Sequence, residues 1–197
     1  MAMPESSPAA RGMARAAMML DTQEIVRLLD DAVHTNGVIG TWEQLIAPVL
    51  AALGQRWSVT GEGVEVEHAF CEAVLEVLRP ISCSMAQARN VRPVLLGCSE
   101  GDRHSLPLFA LAASLAARRV GCRMLGAGLP STCLLAAVRR CGPSVVFLYA
   151  QLPVDDASVL EEIPRQRPMP RVLVGGMGWD REGLPPPVRL VCNLTDA

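Results

Sequence analysis

Over the first eighty residues apolar positions recur every three or four, whereas beyond residue 91 they come in short unbroken runs. That change of period divides the chain into a helical part and a part built on buried strands. Residues 9–20 are rich in Ala and Met and helical by propensity. Asp21, with Glu24 three residues on, reads as a cap opening a second helix that runs to His34 and is broken by Asn36-Gly37 and Gly40. Thr41 with Gln44 reads as another capping box, for a helix that reaches Trp57 and is bent by Pro48. Gly61 and Gly63 mark a turn. A fourth helix, with Val66, Phe70, Ala73, Val74 and Val77 on one stripe, runs to Leu78 and is closed by Arg79-Pro80. Four helices joined by short connections predict a small antiparallel bundle.

Five apolar runs follow: Val94-Leu95-Leu96, Cys122-Arg123-Met124-Leu125, Val145-Val146-Phe147-Leu148, Val172-Leu173-Val174 and Val188-Arg189-Leu190-Val191. Helical patterns at 106–119, 131–141 and 157–162 lie between them. Strands alternating with helices predict a parallel sheet wound on both faces, and the count suits a five-stranded flavodoxin-like or Rossmann-like order. The fold class is therefore α/β. A four-helix bundle cap (residues 9–81) precedes a parallel-sheet domain (91–197), and residues 1–8 are expected to be a disordered tail.

Composition narrows the classes of function. The chain has 197 residues, 50% of them hydrophobic and 19% charged, with a net charge of -2. Its arginines are scattered, which argues against nucleic-acid binding by this polypeptide, because phosphate contacts demand a clustered basic face. No apolar run reaches the roughly 20 residues that span a bilayer, and residues 13–20 are too short and interrupted for a secretory signal. A cytoplasmic protein with no membrane contact is expected. Seven cysteines without paired spacing read as small buried hydrophobes in a reduced interior, not as a zinc site.

The chemistry is concentrated where the run 94–96 opens into Gly97-Cys98-Ser99-Glu100-Gly101-Asp102-Arg103-His104. Parallel α/β sheets bind ligands at the carboxyl ends of their strands. A His in that loop, two positions after an Asp that can accept its second ring N–H, is placed to ligate a metal. Upstream, Leu53-Gly54 and Trp57 are followed by the adjacent pair Glu67-His68. No set of nucleophile, base and orienting group accompanies them, so the chain is not expected to be an enzyme.

Asp102-x-His104 resembles the start of the Asp-x-His-x-x-Gly motif of methionine synthase and related B12 domains. Ala150-Gln151-Leu152 and Gly175-Gly176 fall where that family carries Ser-x-Leu and Gly-Gly. The resemblance implies that His104 is the lower axial ligand to cobalt, oriented by Asp102, and that Ala150, Leu152, Gly175 and Gly176 border the nucleotide tail. The helical half is similar to the sensor domain of CarH-type photoreceptors, MerR-family regulators that use adenosylcobalamin. In that family the positions of Trp57, Glu67 and His68 contact the upper adenosyl group. Cobalamin, with adenosylcobalamin foremost, is the implied cofactor, and a homo-oligomer whose assembly follows ligand state is the implied partner. Three departures stand out: Pro107 replaces the motif's Gly, Ala150 its Ser, and Ser58 the His that captures cobalt after photolysis. The chain is expected to lack its own DNA-binding domain. Two other readings stay open, a corrinoid shuttle domain for methyl transfer and a relative holding another tetrapyrrole.

Overall fold

Ser7 accepts a hydrogen bond from the amide of Ala10 at 3.1 Å and so caps the first helix of the chain, α1 (Pro8–Met18). Pro8 occupies the first turn, where its missing N–H costs nothing. Both residues were expected in a disordered tail, yet both belong to the helix start. The computed structural model describes residues 7–84 and 87–197, so the rest of that expectation, residues 1–6, lies outside the described residues. The chain divides into two compact units, Met1–Pro80 and Ile81–Ala197.

In the first unit Asp21 caps α2 (Thr22–Thr41) as expected, its carboxylate accepting the Glu24 amide at 3.0 Å. Gly37, at φ 68 and ψ 174, breaks the helix where the sequence predicts, but helical structure resumes at once. The capping box expected at Thr41 is absent. Thr41 is itself helical, and its hydroxyl donates back to the carbonyl of Gly37 at 2.8 Å. A π turn (Trp42–Ile46) follows, closed by the Ala47 amide on the Trp42 carbonyl, and leads into α3 (Ala47–Thr60). Pro48 thus falls in the first turn of α3, and the expected bend is a widened turn just before it. Taken through these breaks, Thr22–Thr60 is long and apolar enough to cross a membrane, but its Ile25, Leu29, Ile46 and Val49 are buried in the protein.

Gly61, left-handed at φ 70, ends α3. α4 (Val64–Cys83) buries the predicted stripe of Val66, Phe70, Ala73, Val74 and Val77. It does not stop at Arg79-Pro80. Pro80 lies within the helix, where it removes only its own amide donor, and the helix runs on to Cys83.

The second unit is the expected parallel sheet, in the order β2-β1-β3-β4-β5. Its strands are β1 (Val94–Cys98), β2 (Cys122–Gly126), β3 (Val145–Tyr149), β4 (Arg171–Gly175) and β5 (Arg189–Val191). This is the flavodoxin-like order, with all four pairings parallel. The connecting helices are α5 (Leu106–Ala117), α6 (Ser131–Cys141) and the short α7 (Val159–Glu162), which continues into a single tighter turn. Alternate residues feed two cores. Leu95, Val146, Leu148, Val172 and Val174 pack with Leu134, Leu135, Val138 and Leu160 on one face. Leu96, Cys98 and Phe147 pack with Leu108, Leu111 and Ala112 on the other. Both faces are covered, which is why the strands read as unbroken apolar runs.

Candidate functional site

Where β1 ends, the backbone turns through Gly101, at φ 81, and buries Asp102 to 2% exposure. Such a carboxylate persists only if its oxygens are bonded, and here both are. Oδ1 accepts the backbone N–H of His104 at 2.7 Å and its ring Nδ1–H at 2.9 Å. Oδ2 accepts the amides of Gln151 at 2.6 Å and Leu152 at 3.0 Å, just beyond β3. Burial opposes the charge on Asp102, but the amides of Leu152, His104 and Gln151, with the His104 ring, outweigh it and hold the carboxyl below its usual range. In a neutral ring with Nδ1–H so engaged, Nε2 carries the lone pair, and the side chain remains 45% exposed. This is how a protein fixes the tautomer and direction of a metal-binding imidazole.

Neighbouring loops close around this pair. The Ser99 amide bonds the Tyr149 carbonyl at 2.9 Å, and the Gly128 amide bonds the Asp102 carbonyl at 3.1 Å, tying the β1 loop to β3 and β2. Pro107 sits in the first turn of α5. The Tyr149 hydroxyl donates to Gln151 Oε1 at 2.6 Å, and burial, with Asp102 and Cys98 nearby, pushes its pKa up to about 12.

Of the residues expected to border a nucleotide tail, Leu152 is 53% exposed whereas Ala150 is fully buried in the core. A Cβ on Gly176 would stand 2.1 Å from the Ala150 carbonyl oxygen, and one on Gly175 2.8 Å from the Phe147 ring. In this fold, then, the demand for glycine comes first from the chain's own close approach. The amides of Ala150 and Gly178 bond the carbonyls of Gly175 and Ala150 respectively, at 3.0 and 2.9 Å. Trp179, 6% exposed, locks the same loop by donating its indole N–H to the Gly175 carbonyl at 3.0 Å.

Sequence reasoning singled out Asp102 and His104 but gave no role to Tyr149 or Gln151. The amides of Gln151 and Leu152 carry no residue-type signature, since every residue except Pro has one.

The helical unit holds the other three predicted residues around one turn. Trp57, 53% exposed, lies in the last turn of α3, where its carbonyl accepts the Gly61 amide at 2.7 Å. Glu67 and His68 lie in the first turns of α4, and His68 Nδ1 bonds the Val64 carbonyl at 2.8 Å. The Ser58 hydroxyl is occupied with the Gln55 carbonyl at 2.8 Å. A cavity of ≈ 340 Å³ adjoins this turn, lined by Arg56, Glu62, Val64 and their neighbours but by none of Trp57, Glu67 and His68.

Comparison with known proteins bears out the resemblance at the level of the family. Residues 9–80 match the B12 binding domain family. The HTH-type transcriptional repressor CarA of Myxococcus xanthus is 32% identical over 163 residues, 81% of this chain and 54% of CarA. The chain thus spans about half the length of that relative. In fold it is similar to the monomethylamine corrinoid protein of Methanosarcina barkeri, with a TM-score of 0.69 at 12% identity, covering 93% of this chain and 92% of that one.

Proposed function

We propose, from the premise that this chain belongs to the cobalamin-binding B12 domain family, that it is a regulatory sensor whose signal is the state of a bound adenosylcobalamin. The observation that carries the reading is the buried Asp102 with the Nδ1 side of the His104 ring bonded to it, on a side chain that stays 45% exposed. That donor set fits the lower face of a corrin: one neutral imidazole nitrogen, its ring direction fixed by a carboxylate that is itself fixed by two amides. Leu152, Ala150, Gly175 and Gly176 form the loops beside it.

When bound, the cofactor supplies a light-sensitive cobalt–carbon bond. The chain's own residues do the rest. His104 would hold the cobalt through Nε2, and Asp102 would keep the ring proton on Nδ1. On the helical unit, Trp57 carries an aromatic face and Glu67 and His68 polar groups of the kind that would suit an adenosyl group. A regulatory role, and not a catalytic one, is supported by kinship with a repressor. An acidic chain with scattered arginines supports action through protein contacts and self-assembly, not through direct contact with DNA. Seven free thiols suit a reducing, cytoplasmic setting.

The test is the absorption spectrum of protein loaded with adenosylcobalamin, in the dark and after green light. Wild type should show a histidine-ligated corrinoid that light converts, and His104→Ala should lose that ligation with weakened binding. An unchanged spectrum and affinity in His104→Ala would exclude the lower-ligand role. Equal affinity for methyl- and adenosylcobalamin would favour the shuttle function instead.

A further inference from the structure

The Asp102–His104 pair is held by the end of β3. Both Oδ2 bonds come from the consecutive amides of Gln151 and Leu152, and the side chain of Gln151 is gripped by Tyr149 two residues before it. Most other bonds holding this segment run between backbone atoms: Ala150 to Gly175, Gly178 to Ala150 and Val154 to Gly178. They depend on no particular side chain. The bond from the Tyr149 hydroxyl to Gln151 Oε1, at 2.6 Å, joins two side chains in a half-buried setting, so this hold depends on which residues stand there. The Tyr149 ring is packed at the same place, its Cε2 3.0 Å from where a Cβ on Gly176 would stand.

We infer that Tyr149 and Gln151 are positioning residues for His104: their mutual hydrogen bond fixes the two amides that occupy one oxygen of Asp102, leaving the other oxygen to orient the imidazole. If Gln151 is released, Oδ2 loses well-aligned donors and Asp102 is free to rotate. Its Oδ1 then no longer keeps the proton on Nδ1, and the Nδ1–H and Nε2–H forms of the ring both become populated. Only the first of these leaves Nε2 available to a metal. The inference rests on the proposed ligand role of His104 for its consequence, but not for its geometry.

The experiment separates the two. In cofactor-free protein, nitrogen-15 NMR of the His104 ring reads the tautomer, and amide hydrogen exchange reads Gln151 and Leu152. Wild type should be almost wholly the Nδ1–H form. Tyr149→Phe, which keeps the ring and removes the hydroxyl, should mix the tautomers and speed exchange of both amides by roughly three- to tenfold, the effect of one such bond. Gln151→Ala should do the same, and the double variant should add little to either single change, because both remove one bond. In loaded protein each variant should weaken cobalamin binding by a similar factor. Wild-type tautomer and exchange in Tyr149→Phe, or fully additive effects in the double variant, would overturn the inference. Altered tautomers with unaltered cobalamin affinity would uphold the positioning and remove His104 from the ligand role.

Discussion

Gly178 lies so close to Leu152 that a Cβ on it would stand 1.9 Å from that residue's carbonyl oxygen. No rotamer relieves this, since the opposing atom is backbone, and Gly178 also bonds the carbonyl of Ala150. The loop after β4 therefore presses on the loop that holds Asp102. Gly178→Ala should destabilise the sheet unit by about 3 kcal/mol, in the range of overpacking a tight interior. Urea unfolding followed by tryptophan fluorescence measures it, and a change under 1 kcal/mol would mean the two loops can part.

Asp102 should give stability that depends on acid. Its carboxyl is held below the usual range against the effect of burial, chiefly by the amides of Leu152, His104 and Gln151. A depressed folded pKa means that the contribution is fully present above the unfolded value of about 4 and is lost as pH falls through the lower folded value. The stability gap between wild type and Asp102→Asn should then be largest at pH 5 and above and narrow toward pH 3. A gap of constant size across that range would show that the charge is not what matters.

Removing the carboxylate altogether is expected to be worse. Asp102→Ala leaves the half-buried amides of Gln151 and Leu152 without their acceptor, at a cost of about 2 kcal/mol. Thermal unfolding of the cofactor-free protein checks this independently of any ligand.

The cysteines should divide by reactivity. Cys83, Cys133 and Cys192 are exposed, whereas burial pushes the thiols of Cys71 and Cys98 up to about 12. A thiolate-trapping reagent at pH 8 should modify the three exposed residues within minutes and reach Cys71 and Cys98 only on unfolding. Peptide mapping after timed labelling distinguishes them; early modification of Cys98 would show that the β1 end opens readily.

Gly37 carries a conformation, φ 68 and ψ 174, that residues with a Cβ avoid. Gly37→Ala should lower the stability of the helical unit by about 1–3 kcal/mol even though nothing crowds the site. Circular dichroism on heating measures it, and an unchanged midpoint would mean that the helix can run straight through.

Much of this fold was legible from period and caps. The stripe from Val66 to Val77, the Asp21 cap and the five strands follow from local patterns that the structure keeps. The errors came where two local rules competed. Thr41 has the spacing of a cap, but a hydroxyl can equally bond back to the carbonyl four residues before it, and that bond won. Pro80 has the look of a stop, but a proline costs one amide bond and a local clash, and the helix carries that cost as far as Cys83. At the site, Asp102 and His104 were readable because their contact spans two residues. Their other partners were not, because Gln151 and Leu152 act through backbone amides 49 and 50 positions away.

The strand order has a consequence for how this protein is made. β1 is the first strand to leave a ribosome but lies between β2 and β3, so its ligand loop is completed by segments synthesised later. A nascent chain that has emerged only as far as α6 already contains Asp102 and His104 yet has nothing to offer Oδ2. The carboxylate is satisfied only after residues 151 and 152 appear, and the Gly178 loop that presses on them comes later still. The geometry that would receive a cofactor thus waits on distant segments, and the unfinished chain cannot hold His104 in its final geometry until the first three of the five strands exist.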